Sequence, residues 1–122
     1  MIEGRPLTVL ERARYAAHFE PDVLDAARVI DGRVPFWLRP DMCGVTLGAR
    51  IHLRAGVYDP HIADGVELLG HELVHVRQYR DGMTVWRYLW ASRRGYRCNP
   101  YEVEAYALGA RIRADASAAR LS

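Results

Sequence analysis

The sequence predicts an α+β fold, and three observations lead to it. Residues 63–81 carry Val66, Leu68, Leu69, Leu73, Val74 and Val76 as an apolar coat at helical spacing, and Gly82 offers a stop. Residues 45–54 instead alternate, with Val45, Leu47, Ile51 and Leu53 on one side and Thr46, Arg50, His52 and Arg54 on the other. Two helix-start signals stand near the ends of the chain, Thr8-Val9-Leu10-Glu11 and Asn99-Pro100. The expected outcome is a small twisted sheet beside three or four helices.

The elements follow in order. The capping box at Thr8 starts a helix over residues 9–19, which Glu20-Pro21-Asp22 ends. Residues 27–31 read as a short strand closed by Asp31-Gly32. Residues 34–40 hold two prolines around Phe36-Trp37-Leu38 and should form an irregular apolar plug. Gly48 inside the alternating stretch marks a bulge or a tight hairpin, and residues 50–54 read as an edge strand. The long helix over residues 63–81 is followed by a shorter one over 84–91. Asn99 then caps a last helix, with Pro100 in its first turn, reaching about residue 116.

A chain of 122 residues makes one domain, spanning residues 1–122, with a real core but no separate substrate-binding lobe. Half its residues are hydrophobic and 26% are charged, the balance of a globular protein. All 17 basic residues are Arg, yet the net charge of +2 is too small to imply nucleic acid as a partner. No apolar run approaches the ~20 residues of a transmembrane span, and the N-terminus lacks a signal peptide's apolar core. The expected location is therefore cytoplasmic, or exported by a non-classical or secretion-system route. Cys43 and Cys98 fit no thiolate zinc spacing and are expected to be free, buried thiols.

The chemistry concentrates in His71-Glu72-Leu73-Val74-His75. On a helix, His71 and His75 lie one turn apart and can present two imidazoles to one metal. Glu72 sits ~100° further round, beside the metal, where a carboxylate can take a proton from water. A catalytic zinc needs a third protein ligand and an open position. Asp81, six residues after His75, would need a sharp turn where Gln78 stands; Cys43 lies upstream; Glu102 and Glu104 lie on the last helix. The two glutamates point ~200° apart, so both cannot reach one metal. Glu102 shares its face with Ala105, Gly109 and Ile112, of which the small Ala105 and Gly109 allow close approach to the motif helix. Glu104 shares a half-solvated face with Leu108, Arg111 and Asp115. Glu102 is the better third ligand, although it also stands where a capping-box partner of Asn99 would.

His71-Glu72-Leu73-Val74-His75 followed by Glu102-x-x-Ala105 resembles the gluzincin class of zinc peptidases, in which a later Glu completes the site. More narrowly, the run from Thr46 to Leu53, Tyr58-Asp59-Pro60 and the run from Leu68 to His75 resemble the core domain of bacterial extracellular contractile injection systems. Arg5-Pro6-Leu7-Thr8 is similar to short relatives encoded near secretion-system genes. The similarity covers about residues 5–110. It implies a minimal zincin-like metallopeptidase binding one Zn2+ per chain through His71, His75 and Glu102, with Glu72 as general base. A peptide or protein would be its substrate and a secretion-system protein its partner. The alternative is a zinc-stabilised structural or adaptor module with little catalysis. One departure stands out: Tyr106 occupies the position where relatives carry an Asp that orients a ligating histidine. Such partners change metal affinity ~10–100-fold, and Glu67 or the Tyr106 hydroxyl would have to replace it.

Two features remain open. Tyr96, Tyr101, Tyr106 and Arg97 are all candidates for stabilising an oxyanion. Between Met83 and Arg97, Trp86, Tyr88, Leu89, Trp90 and Tyr96 interleave with four arginines. The preferred reading makes Val85, Trp86, Leu89 and Trp90 a lid over the motif helix with arginines at its solvent edge. A partner-protein interface ranks next, and nucleic acid last. His18, His52 and His61 receive no ligand role.

Overall fold

The computed structural model describes residues 4–121. The elements run α1 (Val9–Tyr15), α2 (Pro21–Ala26), β1 (Arg28–Asp31), β2 (Gly44–Leu47), β3 (Arg50–Leu53), α3 (Ala63–Arg80), α4 (Val85–Ala91), a 3-10 turn (Tyr96–Cys98) and α5 (Pro100–Leu121). The architecture is α+β, as the two periodicities require.

α3 is the spine. Its buried residues face all round the helix, Val66, Leu69, Leu73, Val74 and Val76 among them, so it packs on several elements at once. One side meets the sheet through Val29, Ile51 and Leu53; another meets Tyr15, Phe19 and Val23; α5 adds Ala105 and Ile112. Close approach of α3 to α5 depends on small residues. A Cβ on Gly70 would lie 3.0 Å from Ile112 Cδ1, and one on Gly109 would lie 3.3 Å from the Glu67 carbonyl oxygen and 3.5 Å from His71 Cβ. The small residues expected to bring the last helix close to the motif do so.

Several boundaries differ from expectation for identifiable reasons. α1 carries its capping box, Thr8 with Glu11, but stops at Tyr15; the chain then turns so that Phe19 packs edge-on against Tyr15. Pro21 does more than end a helix. It opens α2 from its first-turn position, where its missing N–H goes unneeded. α5 runs to Leu121, beyond the expected stop. The segment over residues 34–40 is irregular but is no plug, for Phe36 is 99% exposed and Trp37 55%. Both cysteines are free, as expected, but exposed rather than buried.

The sheet needs two corrections. Its order is β1-β3-β2, with β3 parallel to β1 and antiparallel to β2, so β3 is the central strand and β2 an edge. β2 and β3 form a hairpin closed by Gly48-Ala49, with Gly48 at φ +66, the left-handed first position that a two-residue turn assigns to glycine. This turn reverses the alternation. Thr46 pairs with Ile51 and Gly44 with Leu53, so Thr46 faces the core while Val45 and Leu47 are only half-buried. Leu53 Cδ2 and the His52 carbonyl lie so near Gly44 that a Cβ there would meet that oxygen at 2.6 Å. Among the described residues, no helix is long and apolar enough to cross a membrane.

Candidate metal centre

α3 and α5 together carry the site. His71 and His75 lie one turn apart on α3, and Glu102 sits in the first turn of α5, which Asn99 begins by accepting a hydrogen bond from the Tyr101 N–H at 2.8 Å. Glu102 Oε1 is 3.1 Å from Nε2 of each histidine, and the two Nε2 atoms are 3.3 Å apart. Three donors therefore form a nearly equilateral triangle. It is the only group of three or more His, Cys, Asp or Glu side chains among the described residues that could hold a metal ion. The other candidates lie elsewhere. Asp81 is exposed and pairs with Arg80 at 2.9 Å, Cys43 is an exposed thiol outside the cluster, and Glu104 accepts a hydrogen bond from Gln78.

The orientation of His75 follows from Gln78, one turn along α3. Gln78 Nε2 donates to the Tyr101 carbonyl at 2.9 Å and to Glu104 Oε1 at 2.7 Å, which leaves Oε1 facing His75 Nδ1 at 2.8 Å. An amide oxygen only accepts, so Nδ1 carries a proton and Nε2 is the nitrogen that faces the triangle. Neither of the expected substitutes does this. Glu67 pairs with Arg113 at 3.1 Å, and the Tyr106 hydroxyl pairs with that of Tyr96 at 3.0 Å while its ring packs edge-on against His71 at 4.4 Å. Sequence reading missed Gln78, although its signal was there: a polar residue three positions after His75 is its neighbour on the helix.

Tyr88 on α4 was missed as well. Its hydroxyl donates to Glu102 Oε2. Burial alone would raise the Glu102 carboxyl pKa, but the hydrogen bonds of His71 and His75, the charge on His75 and the Tyr88 hydroxyl hold it well below the usual range. Burial would likewise lower His75, and Glu102 and Glu72 together raise it. Glu72 behaves in the opposite way to Glu102. It is 4% exposed, its Oε2 has no hydrogen-bond partner, and burial raises its pKa against the pull of the two histidines. The Thr46 hydroxyl donates to the Glu72 carbonyl at 3.2 Å and ties the edge strand to the motif helix at this point.

The triangle and Glu72 line one cavity of about 540 Å³. β2 forms part of its wall, so the edge strand beside the cleft is β2, and the expectation for residues 50–54 is corrected. Of the four oxyanion candidates, Tyr96 and Tyr106 line the cavity, whereas Tyr101 and Arg97 do not. The expected lid is also divided. Val85, Tyr88 and Leu89 face the cavity, while Trp86 and Trp90 are 80% and 69% exposed.

A family model described as the eCIS core domain matches residues 6–83, well over half of the chain. The match takes in α1 to α3, with His71, Glu72 and His75, and ends before α4 and α5, which bring Tyr88 and Glu102. No curated protein and no solved structure matches the chain.

Proposed function

The chain belongs to the eCIS core domain family, that of extracellular contractile injection systems, and on that premise we propose that it is a zinc-dependent metallopeptidase acting on a peptide or protein. The observation that carries this reading is the pairing of two things in one cavity wall: a triangle of three donors, and a buried carboxylate oxygen with no partner.

The donor set fits zinc. Around an ion with ~2.1 Å bonds to nitrogen and oxygen, the edge of a tetrahedral face is about 3.4 Å, and the triangle has edges of 3.1, 3.1 and 3.3 Å. Two neutral imidazoles and one carboxylate are ligands that zinc favours, with a fourth position left for substrate or water. Zinc bound here would polarise a substrate carbonyl and lower the pKa of water to ~7. The rest of the chemistry belongs to the protein. Glu72, whose side chain lines the cavity, takes the proton of the attacking water on its carboxylate and returns it to the leaving amine. Gln78 keeps the His75 proton on Nδ1, and Tyr88 holds the second oxygen of Glu102 so that the first stays turned toward the histidines.

In the test, zinc-loaded protein is incubated with peptide libraries beside a Glu72→Gln variant. Hydrolysis should be slow on generic proteins, should disappear with chelator and in Glu72→Gln, and the variant should still bind one zinc. A second reading, a zinc-stabilised adaptor of the injection apparatus, is favoured by the exposed aromatic surface at Phe36, Trp37, Trp86 and Trp90. Full biological effect in Glu72→Ala with loss in His71→Ala would establish the adaptor and sink the peptidase.

A further inference from the structure

α4 has two faces, and only one belongs to the metal centre. The other, with Trp86 and Trp90 one turn apart, borders an open groove lined by these two residues with Ala91, Cys98, Pro100 and Tyr101. Arg87, Arg93 and Arg94 complete the lining. No residue of α4 is buried, and the Arg93 guanidinium lies over the Trp90 ring at 4.5 Å.

The charge around this groove is not balanced within the protein. Elsewhere Arg5, Arg12, Arg39, Arg77, Arg80 and Arg113 pair with carboxylates, and arginines outside those pairs, such as Arg14 and Arg54, are scattered rather than gathered on one face. Residues 82–101 contain Arg87, Arg93, Arg94 and Arg97 but neither Asp nor Glu. None of these four is among the ion pairs formed by the described residues. We infer that the groove between α4 and the start of α5 docks an acidic protein segment that carries an apolar anchor residue. Tryptophan and arginine are the side chains that most often dominate such interfaces. The apolar lining receives the anchor, and the guanidinium forks take carboxylates from its flanks. The groove beside the two tryptophans seats an inserted side chain, which a flat bilayer surface would leave unfilled. A nucleic acid would call for a longer basic track than the three arginines that line this groove.

The inference goes beyond the proposed function and holds whether or not the cavity hydrolyses peptides. α4 nevertheless joins the two sites, because Tyr88, on its other face, donates to Glu102. A partner seated on Trp86 and Trp90 therefore touches the helix that holds a metal-ligand candidate in place.

Cys98 provides the test, since it lines the groove, while Cys43 lines the metal cavity and serves as an internal control. The full chain is alkylated with and without a short synthetic peptide of Asp and Glu around a central Leu-Phe pair, and both thiols are followed by mass spectrometry. The same binding is measured by fluorescence anisotropy. The peptide should slow alkylation of Cys98 and leave Cys43 unchanged, and protection should weaken with salt. Trp86→Ala with Trp90→Ala should abolish it, and Arg93→Gln with Arg94→Gln should weaken binding at least about ten-fold. Arg93→Glu with Arg94→Glu should transfer the preference to the Lys-substituted peptide. No protection at millimolar peptide, undiminished protection in the tryptophan variant, or binding only to phosphatidylserine vesicles or single-stranded DNA would overturn the proposal.

Discussion

Glu11 and Glu102 occupy the same local position and do opposite things. Each is the third residue of a helix, three places after a capping residue, Thr8 or Asn99, and each is buried. Glu11 turns back and completes its capping box, accepting from the Thr8 N–H at 2.8 Å, from Arg5 at 2.8 and 3.1 Å, and from the Tyr58 hydroxyl at 2.5 Å. Its charge is balanced by a permanent cation. Glu102 leaves its cap to the Tyr101 N–H and reaches across to two imidazoles, with no arginine among the described residues within 4.0 Å. Two neutral imidazoles and a carboxylate leave a negative site that a proton or a metal ion must balance. The same sequence pattern thus builds an anchor at one end of the chain and a cation site at the other, and what lies opposite the helix decides which.

If Glu11 is an anchor, Glu11→Gln should cost about 3 kcal/mol near neutral pH, from its carboxyl held at about 2 against 4.5 unfolded. Burial opposes that shift, and the hydrogen bonds from Arg5, Tyr58 and Thr8 overcome it. Because the folded pKa is depressed, this stability is complete above about pH 4.5 and is lost as pH falls toward about 2. Denaturant unfolding across that range checks it, and the acid-induced loss should be smaller in Glu11→Gln. Zinc binding should not change in the same variant.

Gln78 tests the other side. Gln78→Leu removes the acceptor that holds the His75 proton on Nδ1 and should weaken zinc binding ~10–100-fold with the fold retained. Competition with a chromogenic chelator measures it; an unchanged affinity would mean that His75 needs no such partner.

The smallest effect should have the opposite sign. Glu72 is buried with one oxygen unsatisfied, so Glu72→Gln in zinc-free protein should be neutral or stabilising by up to about 1 kcal/mol. A loss as large as that of Glu11→Gln would give Glu72 a structural role.

Much of the frame was legible from local signals. The capping residues Thr8 and Asn99 and the apolar coat of α3 act within a turn or two, and the helix starts follow them closely. The choice of Glu102 over Glu104 needed only helix geometry, and the two do point to different partners. Non-local features were less legible. Whether β3 lies at the centre or the edge depends on β1, some twenty residues away in sequence, pairing in parallel with it. The reversed facing of Thr46 comes from a two-residue turn, which a continuous alternation conceals. Gln78 looks like any surface polar residue until α5 supplies Tyr101 and Glu104 to fix its amide. Phe36 and Trp37 were expected inside because they are apolar, but no element packs over them.

The most direct measurement is a calorimetric zinc titration of the unaltered protein beside Glu102→Ala and Glu104→Ala. The unaltered chain should take up one zinc, Glu104→Ala should do the same with a modest loss of affinity through Gln78, and Glu102→Ala should lose tight binding. Equal loss in both variants, or loss in Glu104→Ala alone, would show that Glu102 is no ligand and that its buried carboxylate is an anchor like Glu11.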